Sequence, residues 1–205
     1  FKQQCADVEQ ATETLLSQAQ NDLWAAIEEI EFLLNSKSLL ERVKAVRKAR
    51  ERLSVSIVDY RSEFQTDFAR LNYAWIGQYF KVEETDRQSL EDPETKILKP
   101  GGHIFMAESD GDRVGTCALI KAGDGVYELA KMAVAETARG KGVGWVLGKT
   151  ALEKARDLGA RSIFLESNTE LKPAINLYQK LGFKKVVRNP SPYERCNIQM
   201  ALSMD

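Results

Sequence analysis

The run Arg139-Gly140-Lys141-Gly142-Val143-Gly144 sets cations among glycines at the head of an amphipathic segment, Trp145 to Leu158. It follows an apolar stretch, VYELAKMAV (Val126 to Val134), across a short polar link. That order predicts a strand, a glycine-rich turn and the first turn of a helix. The unpaired N–H groups of such a turn, with the positive end of the helix dipole behind them, make a site for a phosphate group. Glycines at 140, 142 and 144 remove the Cβ atoms that would hold a ligand away. The chemistry on offer is backbone recognition of a phosphate-bearing ligand.

Two familiar phosphate loops do not fit. Gly148-Lys149-Thr150 is preceded by glycines at the wrong distances for a Walker loop, and it falls inside the predicted helix, where its amides are consumed. The dinucleotide fingerprint G-x-G-x-x-G fails because the third glycine comes one residue early. The pattern [Arg/Gln]-x-x-Gly-x-[Gly/Ala] does fit Arg139 to Gly144, and resembles the acetyl-CoA pyrophosphate loop of the GCN5-related N-acetyltransferases (GNAT superfamily). A second run supports it. Ser162 to Asn168 reads as a buried strand and PAINLYQKL (Pro173 to Leu181) as a helix closed by Gly182-Phe183. Asn168 followed by Ala174-x-x-Leu177-Tyr178-x-x-Leu181-Gly182-Phe183 resembles the second half of the same cofactor site.

The resemblance implies an α/β fold of the GNAT type: a mixed, splayed central sheet with flanking helices. It implies acetyl-CoA, with pantetheine bonding the backbone near Met132, Ala133 and Val134 and the pyrophosphate on Arg139, Gly140, Lys141, Gly142, Val143 and Gly144. Asn168, Asn176 and Tyr178 complete the cofactor set. Direct attack of a primary amine on the thioester in a ternary complex would follow. An attacking amine must lose a proton, which a base can accept. Glu128, eleven residues before Arg139, matches the glutamate base of the histone-acetylating members. Tyr178 stands where many members place the tyrosine that protonates the leaving thiolate. Backbone N–H groups of the Val134 strand would polarise the thioester oxygen.

The residues also allow plainer roles. Glu128 could be a strand acid facing solvent or a lysine, Tyr178 a packed helix aromatic, Asn168 and Asn176 turn and surface residues, and Arg139 and Lys141 solvated charges. Trp75 and Tyr79 read as core and lid packing. Tyr193-Glu194-Arg195, after Pro190 and Pro192, could border the acceptor pocket.

Composition narrows the class. The chain has 205 residues and a formal net charge of -1, which gives no general reason to expect nucleic acid or an anionic membrane as partner. Cys5, Cys117 and Cys196 are widely spaced, with no C-x-x-C pair, and read as reduced thiols. The single histidine, His103, cannot supply a metal cluster. No stretch suits a membrane span or a signal peptide, so a cytoplasmic location is expected. Residue 1 is Phe, which suggests a start inside a longer gene product.

Residues 1 to 52 read as an all-α segment and 53 to 205 as the α/β domain. In the first part, helices are expected over Ala6 to Gln18 and Leu23 to Leu34, the second capped by Asn21-Asp22, with a third, basic helix over Leu39 to Leu53. Their apolar stripes (Leu15, Leu16, Leu23, Ile27, Ile30, Leu33, Leu34) exceed what short helices can bury among themselves, so they should dock on the α/β domain or on a second chain, and a homodimer through them fits best. In the second part, strands are expected at Ser54 to Val58, His103 to Ser109, Val114 to Lys121 and Arg195 to Leu202, and a helix at Phe64 to Phe80. Asp110-Gly111-Asp112 signals a hairpin. The acidic, Pro93-containing stretch Val82 to Leu98 reads as a mobile connection with a helical turn.

YRSEFQTDFARLNYAWI (Tyr60 to Ile76), KPGGHIFMAE (Lys99 to Glu108) and GTCALI (Gly115 to Ile120) resemble the acetyltransferase half of bacterial proteins that join a MarR-type winged helix to this domain. That implies an alternative function, an acetyl-CoA-sensing regulatory module with little turnover. A nucleic-acid-binding reading would rest on the basic helix at 39 to 53. Near-neutral total charge argues against it. The acceptor pocket would be built from residues 77 to 98 and 184 to 196, whose acidic part hints at a cationic amine or simply at a solvated loop.

Overall fold

The computed structural model describes residues 2–36, 41, 43 and 55–204. The chain divides into two compact units, Phe1–Arg47 and Lys48–Asp205.

In the first unit Lys2–Ser36 forms one continuous helix, α1, where two helices were expected. The span contains neither glycine nor proline. Asn21 and Asp22, read as a cap, sit inside it, because each costs a helix only up to about 0.7 kcal/mol among strong helix formers. Leu15, Leu16, Leu23, Trp24, Ile30 and Phe32 are exposed and Ile27 is half-buried. The side chains of Leu33 and Leu34, and nearly all of the expected third helix, lie outside the described residues.

The second unit is built on a seven-stranded mixed sheet in the order β1-β2-β3-β4-β5-β7-β6. The strands are β1 (Ser56–Asp59), β2 (His103–Ser109), β3 (Asp112–Gly123), β4 (Val126–Val134), β5 (Ser162–Ser167), β6 (Lys184–Val186) and β7 (Ile198–Ser203). Neighbours are antiparallel except β4 and β5, which run parallel. The turn between β2 and β3 puts Asp110 at φ 53 and Gly111 at φ 85, the left-handed pair that a tight hairpin requires.

Strand alternation sorts the core onto two faces. Phe105, Cys117 and Leu119 pack with Val143, Leu147 and Ala151 of α4 (Val143–Asp157). Ile104, Met106 and Ala118 pack with Phe68, Leu71 and Ile76 of α2 (Gln65–Tyr79). Burying one such side chain contributes roughly 1.5–3 kcal/mol, and these two layers fix α4 and α2 on opposite sides of β4.

The stretch expected to be a mobile connection with a helical turn has helix there, and more of it than expected, and it is packed into the core. It forms α3 (Glu84–Glu91) and a π-helical turn (Glu94–Leu98), and buries Asp86, Leu90 and Ile97. Glu83 and Asp86 form a capping box, in which Glu83 N donates to Asp86 Oδ2 at 3.2 Å. The last helix, α5 (Lys172–Lys180), carries proline in its first turn as expected. β6 was not anticipated, being too short to show an alternation.

Candidate active site

β4 and β5 pair only at Val126↔Ser162, Tyr127↔Ile163 and Glu128↔Phe164. Beyond Glu128 the strands part, and β4 runs on to Val134 while β5 ends at Ser167. The sheet is therefore forked, as the family resemblance implied, and Glu128 stands at the apex.

A bulge shapes the β4 arm. Thr116 pairs with Ala133 and Ala118 with Ala130, so Lys131 and Met132 together face the single residue Cys117. Lys131 takes φ 51, a left-handed conformation uncommon for a side chain of this size. Its side chain is only 5% exposed, and Nζ donates to Asp86 Oδ1 at 3.0 Å and to Tyr193 Oη at 3.1 Å.

Two cavities occupy the fork. The larger, about 550 Å³, runs from the glycine loop to the fork, lined by Arg139, Gly140, Gly142, Val143 and Gly144 on one side and by Ala174, Asn176 and Leu177 of α5 on the other. The smaller, about 90 Å³, is lined by Asn72, Asp86, Glu128, Lys131, Glu166, Tyr193 and Arg195, among others. Trp75, Met132, Leu171 and Tyr178 line both, so the cavities meet there.

The glycine loop takes the form its sequence requires. Gly140 and Gly142 have φ 79 and 89, and Gly142 is the N-cap of α4, so no side chain covers the first amides of that helix. Gly144 lines the larger cavity and also matters for packing. A Cβ there would come within 3.2 Å of Leu177 Cδ2, so this glycine lets α4 approach α5. Arg139 turns back from the loop, donating through Nη2 to Gln78 Oε1 at 2.7 Å and through Nε to Val134 O at 3.3 Å. Lys141 is exposed and outside the lining of either cavity. Met132 and Val134 line the larger cavity, whereas the Ala133 side chain is buried in the core under α2. Asn168 faces the smaller cavity instead of the larger, with Nδ2 donating to Arg195 O at 2.8 Å and Oδ1 accepting from Glu170 N at 2.9 Å.

Electrostatics separate the titratable groups. Burial, reinforced by the nearby Glu166 carboxylate, pushes the Glu128 carboxyl up to about 7, against the pull of Lys131 and Arg188. Burial also raises the Tyr178 phenol, with a smaller contribution from Cys117, so it is protonated at neutral pH. A group that accepts protons near neutrality and a phenol that holds its proton thus both line the smaller cavity. Burial opposes ionisation of Asp86, yet hydrogen bonds from Arg195 and Lys131 outweigh it and hold the carboxyl below its ordinary range. Arg195 grips Asp86 through Nη1 at 2.7 Å and Nη2 at 2.8 Å, and Glu83 Oε1 through Nη1 at 2.8 Å.

Of the residues that sequence reading singled out, the loop glycines, Glu128 and Tyr178 line these cavities, and so do Tyr193 and Arg195, which it placed only at a border. It missed Asn72, Asp86, Lys131 and Glu166. A lysine within an apolar strand was the available signal for Lys131; the others look like ordinary polar positions.

Known proteins share this fold. An acetyltransferase of GNAT family from Staphylococcus aureus superposes with a TM-score of 0.68 at 20% identity, covering 74% of this chain and 99% of that one. A Salmonella typhimurium acetyltransferase structure containing its cofactor acetyl-CoA superposes with a TM-score of 0.59 at 18% identity, over 74% of this chain and 94% of that one. The uncharacterized N-acetyltransferase YjgM of Escherichia coli is 35% identical over 91 residues, 43% of this chain and 54% of that protein. The chain thus spans about half the length of curated relatives such as YjgM. Residues 63–183 match the model of the acetyltransferase (GNAT) family, and the chain belongs to that family.

Proposed function

We propose that this chain is an acetyl-CoA-dependent N-acetyltransferase that acetylates a primary amine by direct attack in a ternary complex. The observation that carries the reading is the junction of the two cavities, with Tyr178 lining both and Glu128 at the apex of the fork. The larger cavity fits the cofactor: it is within the usual size of a ligand pocket and begins at a helix N-terminus whose capping residue has no side chain. The α4 amides after Gly142 hold the pyrophosphate, with Gly140 giving the chain its turn, and Met132 and Val134 border the pantetheine arm. Acetyl-CoA supplies an acyl group activated as a thioester. Glu128 takes a proton from the amine, and Tyr178 gives one to the departing sulfur. Thiol release from acetyl-CoA, measured over a panel of amines, tests the reading; affinity for acetyl-CoA without release on any amine would refute it.

One observation favours a second component. α1 exposes Leu16, Leu23 and Ile30 at a seven-residue spacing, along with Leu15, Trp24 and Phe32. Such a stripe suits a helix that pairs with its counterpart in a second copy. In that reading the acetyl-CoA site reports cofactor level to a MarR-type regulatory element. Turnover far below that of working acetyltransferases, together with tight cofactor binding, would favour it.

A further inference from the structure

We infer that Asn72, Glu128 and Glu166 form an ammonium-binding subsite, and that the acceptor is a slender aliphatic primary amine that arrives protonated and bears no carboxylate beside its nitrogen. The inference rests on the acetyltransferase reading above and names its substrate class.

Hydrogen-bond accounting leads there. Asn72 is 2% exposed, and its Nδ2 donates to Phe68 O at 2.9 Å, so the amide offers its oxygen to the cavity. Glu166 is fixed by Ser191 Oγ at 2.5 Å and Gln199 Nε2 at 2.9 Å, and a carboxylate oxygen that accepts one hydrogen bond retains capacity for another. The cavity's two cations are already matched. Lys131 is paired with Asp86, and Arg195 with Asp86 and Glu83. Glu128 and Glu166 take part in no ion pair among the described residues. The remaining nearby cation, Arg188, is exposed and stacks on the Phe164 ring at 3.9 Å. Oxygen acceptors and unmatched negative charge select a ligand rich in N–H donors and positively charged.

Size and charge then exclude alternatives. The smaller cavity offers far less room than the larger, about 90 Å³ against about 550 Å³, which favours a slender chain beside the ammonium. An arylamine is uncharged at neutral pH and gains nothing from Glu128 and Glu166. A carboxylate on the carbon bearing the amine would be repelled by Glu128 and Glu166. One N–H proton passes through Glu128 to solvent before the C–N bond forms. A second leaves nitrogen as the C–S bond breaks, and is matched by the proton taken up at sulfur.

The test uses the intact chain and two readouts. Calorimetry without acetyl-CoA compares n-butylammonium, tert-butylammonium, aniline and alanine; thiol release with acetyl-CoA is measured on the same four. The expected result is detectable binding of n-butylammonium alone and its clear preference in turnover. Glu166→Gln, with melting temperature unchanged, should raise KM for n-butylamine roughly tenfold, the scale of one charge-assisted hydrogen bond, while kcat and acetyl-CoA affinity hold. Equal binding of aniline or alanine, no binding of n-butylammonium, or an unmoved KM in Glu166→Gln would overturn the inference. Binding of n-butylammonium as expected with no thiol release would instead refute the acetyltransferase reading and leave the subsite standing.

Discussion

Glu128 of β4 and Phe164 of β5 are the last residues that pair before the two strands diverge. The carboxylate is therefore held by regular sheet on one side and faces the cavity between the strands on the other. Its position is set by backbone pairing, which makes it a rigid place for a proton acceptor.

Glu128 should govern the acid limb of activity. Because its carboxyl titrates at about 7, kcat/KM should climb as pH rises through neutrality and level off above it. Glu128→Gln should abolish that limb and lower turnover by about 10²–10⁴, with acetyl-CoA affinity unchanged. A pH–rate series on both proteins checks this.

The same group should leave a mark on stability. Its folded value lies above the unfolded value of roughly 4.3, so the folded state binds the extra proton. The contribution is fully present below that unfolded value and is lost as pH rises through about 7. Between pH 5 and 8 the melting temperature of Glu128→Gln should consequently fall less than that of the unmodified chain, read by calorimetry.

Tyr178→Phe should keep the fold, since the ring and its edge contact with Phe183 at 6.2 Å remain. Turnover should drop and thiol release should slow, while acetyl-CoA still binds. Single-turnover kinetics with unchanged thiol release would leave the hydroxyl only a packing role.

Gly142→Val should weaken acetyl-CoA binding by roughly tenfold or more. A left-handed residue with a Cβ costs about 1–2 kcal/mol, and relief of that strain would rotate the amides at the head of α4. Gly144→Val should act differently, by pressing on Leu177 and shifting α5. Titration calorimetry on both variants, with melting curves, separates the two effects.

Removing residues 1–52 should leave acetyl-CoA affinity intact and abolish self-association. Light scattering of the full chain is expected to show a dimer, insensitive to salt because the exposed stripe is apolar. A monomer at high concentration would reject pairing through α1.

Much of this architecture was legible in local sequence. The β2 limits, the Asp110-Gly111 hairpin and the glycine loop are written in nearest-neighbour chemistry, where backbone geometry demands particular residues. The single α1 was not, because cap-forming residues are also tolerated in a helix that nothing else interrupts. Residues 82 to 98 looked solvated because Asp86 becomes acceptable inside the protein only through Lys131 and Arg195, 45 and 109 positions further along. The bulge at Lys131 is likewise a product of register between β3 and β4, which no single segment records. Glu166 and Asn72 became visible only once the fork had gathered them.

Asp86 also bears on how acceptor preference could change over time. One carboxylate, with no exposed surface, ties α3, the β4 bulge and the segment around Arg195 together. Substitutions at any one of these walls alter the pairing available to the others, so their effects should be strongly non-additive. Losing Asp86 alone would strand the buried Lys131 ammonium and leave Arg195 with Glu83 only, and breaking a buried pair from one side commonly costs about 3–5 kcal/mol, whereas exchanging the whole set together need not. New specificity at this pocket is thus an epistatic trait, reached by coordinated replacement or by lineages that first gained stability elsewhere.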